Sequence, residues 1–349
     1  MSPGPIASPV AVSSPVATVA AAPDEAPDPV LLWVTADDGA SVAVHRSANP
    51  GKPPVVLVHG VSSNSRFWDL APGRSLAGYL WARGFDVWNV DLRGHGVAER
   101  SEDGSRLAAS PTIDDYGRHD VPAVFAAVEA ETGATPAYVG HSMGGMVLAV
   151  ALATGGVDPP AAVVVGSPLD FRDPDLLVGL GLGGLQRVAR IVPTPVGAKV
   201  LAITRRSTLL ELDALLFVPE NLAREAEVSV LRTAVSPLWS GEIGQLAACR
   251  GDGEFRGVDG GDPYRAQLAQ VDVPMLFLAG REDRIVSPDR VWTYFEAVGS
   301  ALPAVDKAFV VASVANGMHA DYGHLDLGVG DHAAEDVFPL IAGWLEAHP

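Results

Sequence analysis

The sequence predicts an α/β fold with a mostly parallel, eight-stranded sheet flanked by helices, and with a helical insertion between two of the strands. Three observations support this prediction. Short continuous apolar runs of strand length alternate with helix-like segments over most of the chain. One stretch of roughly a hundred residues carries no strand pattern. The 349 residues are 48% hydrophobic and 19% charged, which suits one large core.

The first two strands are predicted to form an antiparallel hairpin. VLLWV (30–34) and SVAVH (41–45) flank the turn sequence Asp37-Asp38-Gly39. The remaining strands are apolar on both faces, as strands are in a parallel sheet that helices cover on each side. There are six of them: PVVLVHG (54–60), FDVWNVDLRG (85–94), PAYVGHS (136–142), AAVVVGS (161–167), PMLFLAG (274–280) and AFVVASV (308–314).

Helix-like segments separate these strands. Alternation of strand and helix indicates βαβ units with right-handed crossovers. The predicted helices of the core are SLAGYLWARG (75–84), VPAVFAAVEAETG (121–133), MGGMVLAVALATGG (143–156) and VFPLIAGWLEAH (337–348).

The alternation breaks once, between Ser167 and Val273. A helical insertion at this point would lie over the carboxyl ends of the strands, so we interpret residues 168–272, here called the insertion, as a helical cap. Four of its segments look helical: 176–192, 208–216, 221–235 and 242–250. The predicted organisation is a disordered tail over 1–29, a core over 30–167, the insertion, and the rest of the core over 273–349.

Targeting and membrane signals are weak. The tail is rich in Ala and Pro and lacks Lys and Arg, whereas a secretory signal has a basic start and an uninterrupted apolar run. The most hydrophobic later stretch, at 176–185, is too short to span a bilayer, so no membrane span is predicted. Cys249 is the one cysteine, which rules out an intrachain disulfide. A cytoplasmic location is expected.

The charge balance narrows the possible partners. Asp and Glu number 42 against 24 Lys and Arg, and the formal net charge is −18. Such a field repels phosphate backbones and anionic membrane surfaces, so nucleic acid is not an expected partner. No Cys cluster or His/Cys metal spacing occurs, and no metal or organic cofactor is predicted. The expected partner is a small-molecule substrate, and the sequence predicts no oligomeric state.

The sharpest motif is Gly140-His141-Ser142-Met143-Gly144, a G-x-S-x-G sequence between a predicted strand and a predicted helix. Glycines suit a turn that is too tight for flanking side chains, and the helix start stabilises negative charge on a reacting oxygen. The alternative is a Gly-rich turn that happens to contain serine. The strand–turn–helix context favours Ser142 as a nucleophile.

A serine nucleophile requires a base, and the base requires an orienting carboxylate. Asp283 follows the strand PMLFLAG and His324 lies beyond the last strand, which gives the chain order Ser, Asp, His expected with this motif. Glu282 and Asp170 compete for the carboxylate role, and His319 competes for the base. Position in the chain favours Asp283 and His324.

The loop after the strand PVVL begins His59-Gly60-Val61 and is predicted to bind an oxyanion. The backbone N–H groups of Val61 and Met143 would form the hole. His59 is interpreted as a turn residue that holds the loop. The sequence DLRGHG (91–96) is interpreted as a buried polar network that braces the same loop.

Four residues are predicted to line a substrate pocket. Two lie beside the predicted site, and two lie in the insertion, whose leucines could form an apolar wall for an acyl chain or simply pack in the core. They are Val61, His141, Leu176 and Leu180.

From about residue 31 onwards the chain resembles the α/β-hydrolase superfamily. The resemblance rests on VHG (58–60), DLRGHG (91–96), GHSMGG (140–145), GREDRIV (280–286) and YGHLD (322–326). Residues 66–96 resemble the start of acid lipases. Residues 246–280 resemble polyhydroxyalkanoate synthases, but those enzymes have cysteine where this chain has Ser142, which argues against polyester synthesis.

The resemblance implies a serine esterase or lipase that acts through an acyl-enzyme and needs no cofactor. Dehalogenases and epoxide hydrolases have aspartate at the position of Ser142, so their chemistry is not expected. The predicted substrate is a carboxylic ester with an apolar acyl group. Lactones, small esters and C–C bonds remain alternatives, as does a non-catalytic protein that binds small molecules.

Overall fold

The computed structural model describes residues 26–172, 191–192, 194, 215–249 and 251–349. Its main sheet has eight strands: β1 (Val30–Thr35), β2 (Ser41–Ser47), β3 (Pro54–Val58), β4 (Asp86–Asp91), β5 (Ala137–His141), β6 (Ala162–Val165), β9 (Met275–Gly280) and β10 (Lys307–Ala312). Their order across the sheet is β1-β2-β4-β3-β5-β6-β9-β10. β2 runs antiparallel to both of its neighbours, and the other six strands, β4, β3, β5, β6, β9 and β10, run parallel to one another.

Helices connect and flank these strands. The longest are α3, α4, α5, α8 and α11. The set comprises α1 (Leu76–Ala82), α2 (Ile113–Asp115), α3 (Val121–Thr132), α4 (Met143–Ala153), α5 (Arg224–Thr233), α6 (Ser240–Ala248), α7 (Tyr264–Gln267), α8 (Pro288–Ala297), α9 (Asp326–Val329), α10 (Ala333–Asp336) and α11 (Phe338–Ala347). None of the helices in the described part of the chain is long and apolar enough to cross a membrane.

Two apolar layers cover the two faces of the sheet. In β3, Val56 and Val58 point into one layer, and Val55 and Leu57 point into the other. Side chains of α3, α4 and α8 pack in the first layer, and those of α1 and α11 pack in the second. Because both faces are buried, β3 reads as a continuous apolar run rather than an alternating one.

The predicted α/β fold and all eight strands of its sheet are confirmed. One sequence interpretation needs correction, and the longer helices include one, α8, that the sequence did not predict. The helix α8 follows Ser287, and its buried residues Val291, Tyr294 and Ala297 form a narrow stripe. Ile191–Val192, assigned to a helix, instead forms the short strand β7, which pairs antiparallel with β8 (Leu238–Trp239).

Buried contacts of Glu242 and Trp239 connect the insertion to the core. The carboxylate of Glu242 in α6 accepts a hydrogen bond from Tyr116 (2.9 Å) and lies 3.2 Å from His95 Nε2, with all three side chains fully buried. The indole N–H of Trp239 donates to the carbonyl oxygen of Gly94 (2.9 Å). These contacts fix α6 beside the loop that follows β4.

Candidate active site

Ser142 lies in a strained turn between β5 and α4. Its backbone has φ 53° and ψ −116°, and Ser142 and Ser62 are the two non-glycine residues with positive φ in the described chain. A Cβ at Gly144 would lie 2.6 Å from the carbonyl oxygen of Val58, so glycine is required there. Strain of this kind is kept where the surrounding structure enforces it, and it holds the Ser142 hydroxyl at the carboxyl edge of the sheet.

A buried chain of hydrogen bonds joins Ser142, His324 and Asp283. The hydroxyl of Ser142 donates to His324 Nε2 (2.9 Å), and His324 Nδ1–H donates to Asp283 Oδ2 (2.7 Å). The other carboxylate oxygen of Asp283 accepts the N–H groups of Ile285 (2.8 Å) and Val286 (2.7 Å). The three residues are 7%, 4% and 5% exposed, in that order. The structure therefore brings together the three residues that the motifs selected.

The rival residues lie elsewhere. Glu282 is exposed, and Asp170 is paired with Arg172. His319 is exposed as well, and its Nδ1 lies 2.8 Å from Asp336. None of these three side chains contacts Ser142 or His324 among the residues that the structure describes.

The loop after β3 lies against Ser142. A Cβ at Gly60 would stand 3.1 Å from Ser142 Cβ and 3.0 Å from His141 Nδ1, closer than most Cβ contacts, so glycine lets the backbone approach without displacing either side chain. Val61 follows directly. Met143 begins α4, and the N–H of a first helical residue has no acceptor within its own helix. The two backbone N–H groups predicted to bind an oxyanion thus belong to the residue after Gly60 and to the residue after Ser142.

Hydrogen bonds of His59 and Asp91 hold the backbone of this loop and of the segment after β4. His59 Nδ1–H donates to the carbonyl oxygen of Gly60 (2.8 Å), and the N–H of Leu92 donates to His59 Nε2 (3.4 Å). The carboxylate of Asp91 accepts the N–H groups of Ser65 (2.6 Å) and Val97 (2.8 Å). These contacts agree with the interpretation of His59 as a turn residue and of 91–96 as a bracing network.

Burial keeps the imidazoles of His59 and His141 neutral by lowering their pKa values. It lowers the pKa of His59 to about 3, and the neighbouring His95 contributes to the shift. It also holds the pKa of His141 well below its usual range, together with the nearby His324. For Asp91, burial alone would raise the pKa, but hydrogen bonds from His45, Ser65 and Val97 bring it below its usual value.

His141 supports His324 rather than presenting a surface to a substrate. Its ring is 1% exposed, stacks on Phe67 at 4.3 Å, and donates from Nε2 to the backbone carbonyl oxygen of His324 (3.0 Å). No motif indicated this role, because it depends on a contact between distant segments. Of the other predicted pocket residues, Val61 is partly buried beside Ser142, and Leu176 and Leu180 lie outside the described residues.

Residues of the insertion form hydrogen bonds with the loop that carries Val61. Ser62 donates to the carbonyl oxygen of Ser236 (2.7 Å), and Ser63 donates to that of Ala234 (3.0 Å). Asn64 donates to the Ser236 hydroxyl (3.1 Å). The sequence analysis missed these contacts, although the run Ser62-Ser63-Asn64 is a cluster of short polar side chains directly after the predicted oxyanion loop.

Comparison with solved structures places the fold. An esterase from Exiguobacterium antarcticum superposes with a TM-score of 0.61 at 17% identity, covering 90% of this chain and 100% of that one. A thermophilic esterase from Thermogutta terrifontis gives a TM-score of 0.60 at 18% identity, covering 92% and 100%. At these identities the likeness concerns the fold.

Sequence comparison adds a partial match to lipases. Human gastric triacylglycerol lipase is 33% identical over 135 residues, which are 35% of this chain and 34% of the lipase. Lipase 3 of Drosophila melanogaster is 36% identical over 98 residues, 27% of this chain and 25% of that protein. The chain thus matches a third or less of the length of these relatives.

The family is shown by a longer match. The family model described as the alpha/beta hydrolase fold covers residues 53–317, which include β3 to β10, Ser142 and Asp283. The eight-stranded sheet, the strand order and the strained serine turn accord with this match. The chain therefore belongs to the α/β-hydrolase fold family.

Proposed function

We propose that the protein hydrolyses carboxylic esters with apolar acyl groups through a Ser142-His324-Asp283 triad. One observation carries the proposal: a serine in a strained strand-to-helix turn donates to an imidazole whose other nitrogen is held by a buried carboxylate, at 2.9 Å and 2.7 Å. This is the arrangement in which a serine hydroxyl becomes a nucleophile near neutral pH.

The reaction follows from the positions of these groups. Ser142 Oγ attacks the ester carbonyl carbon while its proton passes to His324 Nε2, and Asp283 stabilises the imidazolium that forms. The N–H groups of Val61 and Met143 bind the oxyanion. Collapse of the intermediate expels the alcohol, which takes the proton from His324. Water then attacks the acyl-enzyme by the same route in reverse and releases the acid, which restores the Ser142 hydroxyl.

Two observations favour an apolar acyl group. The relatives that match parts of this chain are lipases, one of them a triacylglycerol lipase. The formal charge of −18 disfavours polyanionic substrates and leaves neutral esters unaffected. Small esters, lactones and C–C bonds are the outcomes against which this choice is tested.

The test uses p-nitrophenyl esters from acetate to palmitate, with a fluorophosphonate label, on wild type, Ser142→Ala and Ser300→Ala. Ser300 is an exposed serine after α8 and serves as the matched control. We expect Ser142→Ala to lose both turnover and labelling while Ser300→Ala keeps both, and the rate to rise from acetate towards medium or long chains. Wild type that is folded but neither labels nor cleaves any ester contradicts hydrolysis. Labelling with a preference for acetate contradicts only the apolar acyl group.

A further inference from the structure

A cluster of two histidines and one glutamate lies on the surface and includes a residue of the loop that leads to His324. It consists of His319 in that loop, His332 just before α10, and Glu335 within α10. One ligand atom from each residue lies within 4.8 Å of those of the other two. The proposed hydrolysis uses none of these residues.

The side chains converge on one carboxylate oxygen. Glu335 Oε2 lies 2.9 Å from His332 Nδ1 and 3.8 Å from His319 Nε2. The two imidazole rings stack with their centroids 4.7 Å apart and their planes 12° apart. Ligand atoms around a tetrahedral metal with bonds of about 2.1 Å stand about 3.4 Å apart. The three ligand atoms lie within 4.8 Å of one another, and the two stacked rings would have to turn out of their parallel arrangement for both lone pairs to meet one ion.

A buried carboxylate fixes His319 in the orientation that a ligand needs. Asp336, whose side chain is 6% exposed, accepts the hydrogen bond from His319 Nδ1 (2.8 Å) and another from the His319 backbone N–H (2.8 Å). Because Nδ1 carries the proton, the Nε2 lone pair faces Glu335. A carboxylate behind the distal nitrogen of a ligating histidine is the usual outer support of a metal site.

We propose that His319, His332 and Glu335 bind a divalent transition-metal ion of the zinc class, with the fourth position open to water. Two imidazoles and one carboxylate favour such ions over Mg²⁺ and Ca²⁺, which prefer oxygen ligands. The three side chains are 56%, 46% and 61% exposed, so the ion has a free path of entry. The net charge of −18 attracts cations to the surface.

The bound ion joins two segments of the chain. His319 belongs to the loop between β10 and His324, and His332 and Glu335 belong to the segment before α11. The same loop is tied to Asp336 by the Tyr322 hydroxyl (2.7 Å), two residues before His324. The metal therefore adds a cross-link between the loop that carries His324 and the start of α10.

The test measures Zn²⁺ binding by titration calorimetry to the full chain, prepared without a histidine tag and stripped with a chelator. We expect one ion per chain, no heat with Mg²⁺, and affinity lowered at least about tenfold in His319→Gln and in His332→Gln, since loss of an outer support alone costs about 10- to 100-fold. Zn²⁺ at a hundred times its Kd should raise the melting temperature of wild type by about 4 °C. Neither variant should show that rise at the same concentration.

Two controls locate the ion. His119→Gln removes a ligand from the other candidate cluster, which contains Asp38 and Asp115, and it should leave binding unchanged. His348→Gln removes a histidine that is paired with Asp306 and lies against Trp344, outside the proposed site, and it should also leave binding unchanged. Absence of binding at millimolar Zn²⁺ would overturn the proposal. So would binding that survives both ligand substitutions, or that disappears when a fluorophosphonate occupies Ser142.

Discussion

His319 and His324 lie five residues apart on one loop, and each is paired with a carboxylate. The two histidines differ in what the other ring nitrogen faces. His324 Nδ1 is 2.7 Å from Asp283, and His319 Nδ1 is 2.8 Å from Asp336. His324 is 4% exposed with Ser142 at its Nε2, whereas the His319 side chain is 56% exposed and its Nε2 faces Glu335. The carboxylate sets the tautomer in both pairs. The group at the other nitrogen, and access of water, then decide which chemistry the imidazole serves.

The largest difference is expected when each imidazole is removed in turn. His324→Gln removes the proposed general base, and kcat should fall by a factor on the order of 10⁴ to 10⁶. His319→Gln alters an exposed side chain, and kcat/KM should stay within about twofold of wild type. Hydrolysis of the best p-nitrophenyl ester, with circular dichroism to check folding, makes the comparison. A loss of comparable size in His319→Gln would mean that the exposed pair takes part in the reaction.

Removing the charge from each carboxylate gives the next largest difference. Asp283→Asn would no longer hold the His324 tautomer, and kcat should fall about 10⁴-fold with little change in KM. Asp336→Asn should instead lower the free energy of unfolding by about 1–3 kcal/mol, because its carboxylate accepts three hydrogen bonds.

Parallel kinetics and denaturant unfolding separate these two results. In Asp336→Asn the turnover of folded enzyme should stay near that of wild type, and Zn²⁺ affinity should fall by about 10- to 100-fold. If Asp283→Asn kept wild-type turnover, the carboxylate would have no part in orienting His324.

The two pairs also differ in how far the sequence predicts them. Ser142 comes directly after an apolar run and Asp283 three residues after one, and polar residues that follow such runs identify the carboxyl edge of a parallel sheet. His324 follows from its chain order and its Gly-preceded loop. The sequence favours His324 over His319 only by the position of each residue in the loop, because both follow the last strand. The packing of the loop buries one and exposes the other.

What the sequence could not predict depends on contacts between distant segments. His332 and Glu335 have the i,i+3 spacing of one helical face. His319 precedes His332 by thirteen residues, and no sequence pattern indicates that it lies beside them. Two hydrogen bonds join segments more than 170 residues apart: one from Ser62 to the carbonyl oxygen of Ser236, and one from His141 to the carbonyl oxygen of His324. The short strand β7 was missed because two residues are too few for a pattern.

The smallest expected effect concerns pH, and it sharpens the contrast between buried and exposed imidazoles. His59 is fully buried, and its two nitrogens face the Gly60 carbonyl and the Leu92 N–H, so a second ring proton would meet a donor. Burial and His95 lower its pKa to about 3, against about 6.5 when unfolded. Because the unfolded chain binds the proton more readily, stability is complete above pH 6.5 and is lost as the pH falls towards 3.

Urea unfolding of wild type and His59→Gln between pH 6.5 and 4.5 measures this term. Each buried neutral histidine contributes a slope of at most about 1.4 kcal/mol per pH unit in this window. The slope should therefore be smaller in His59→Gln than in wild type, with His141 still contributing because its pKa is also lowered by burial. Equal slopes in the two proteins would show that protonation of His59 does not oppose folding.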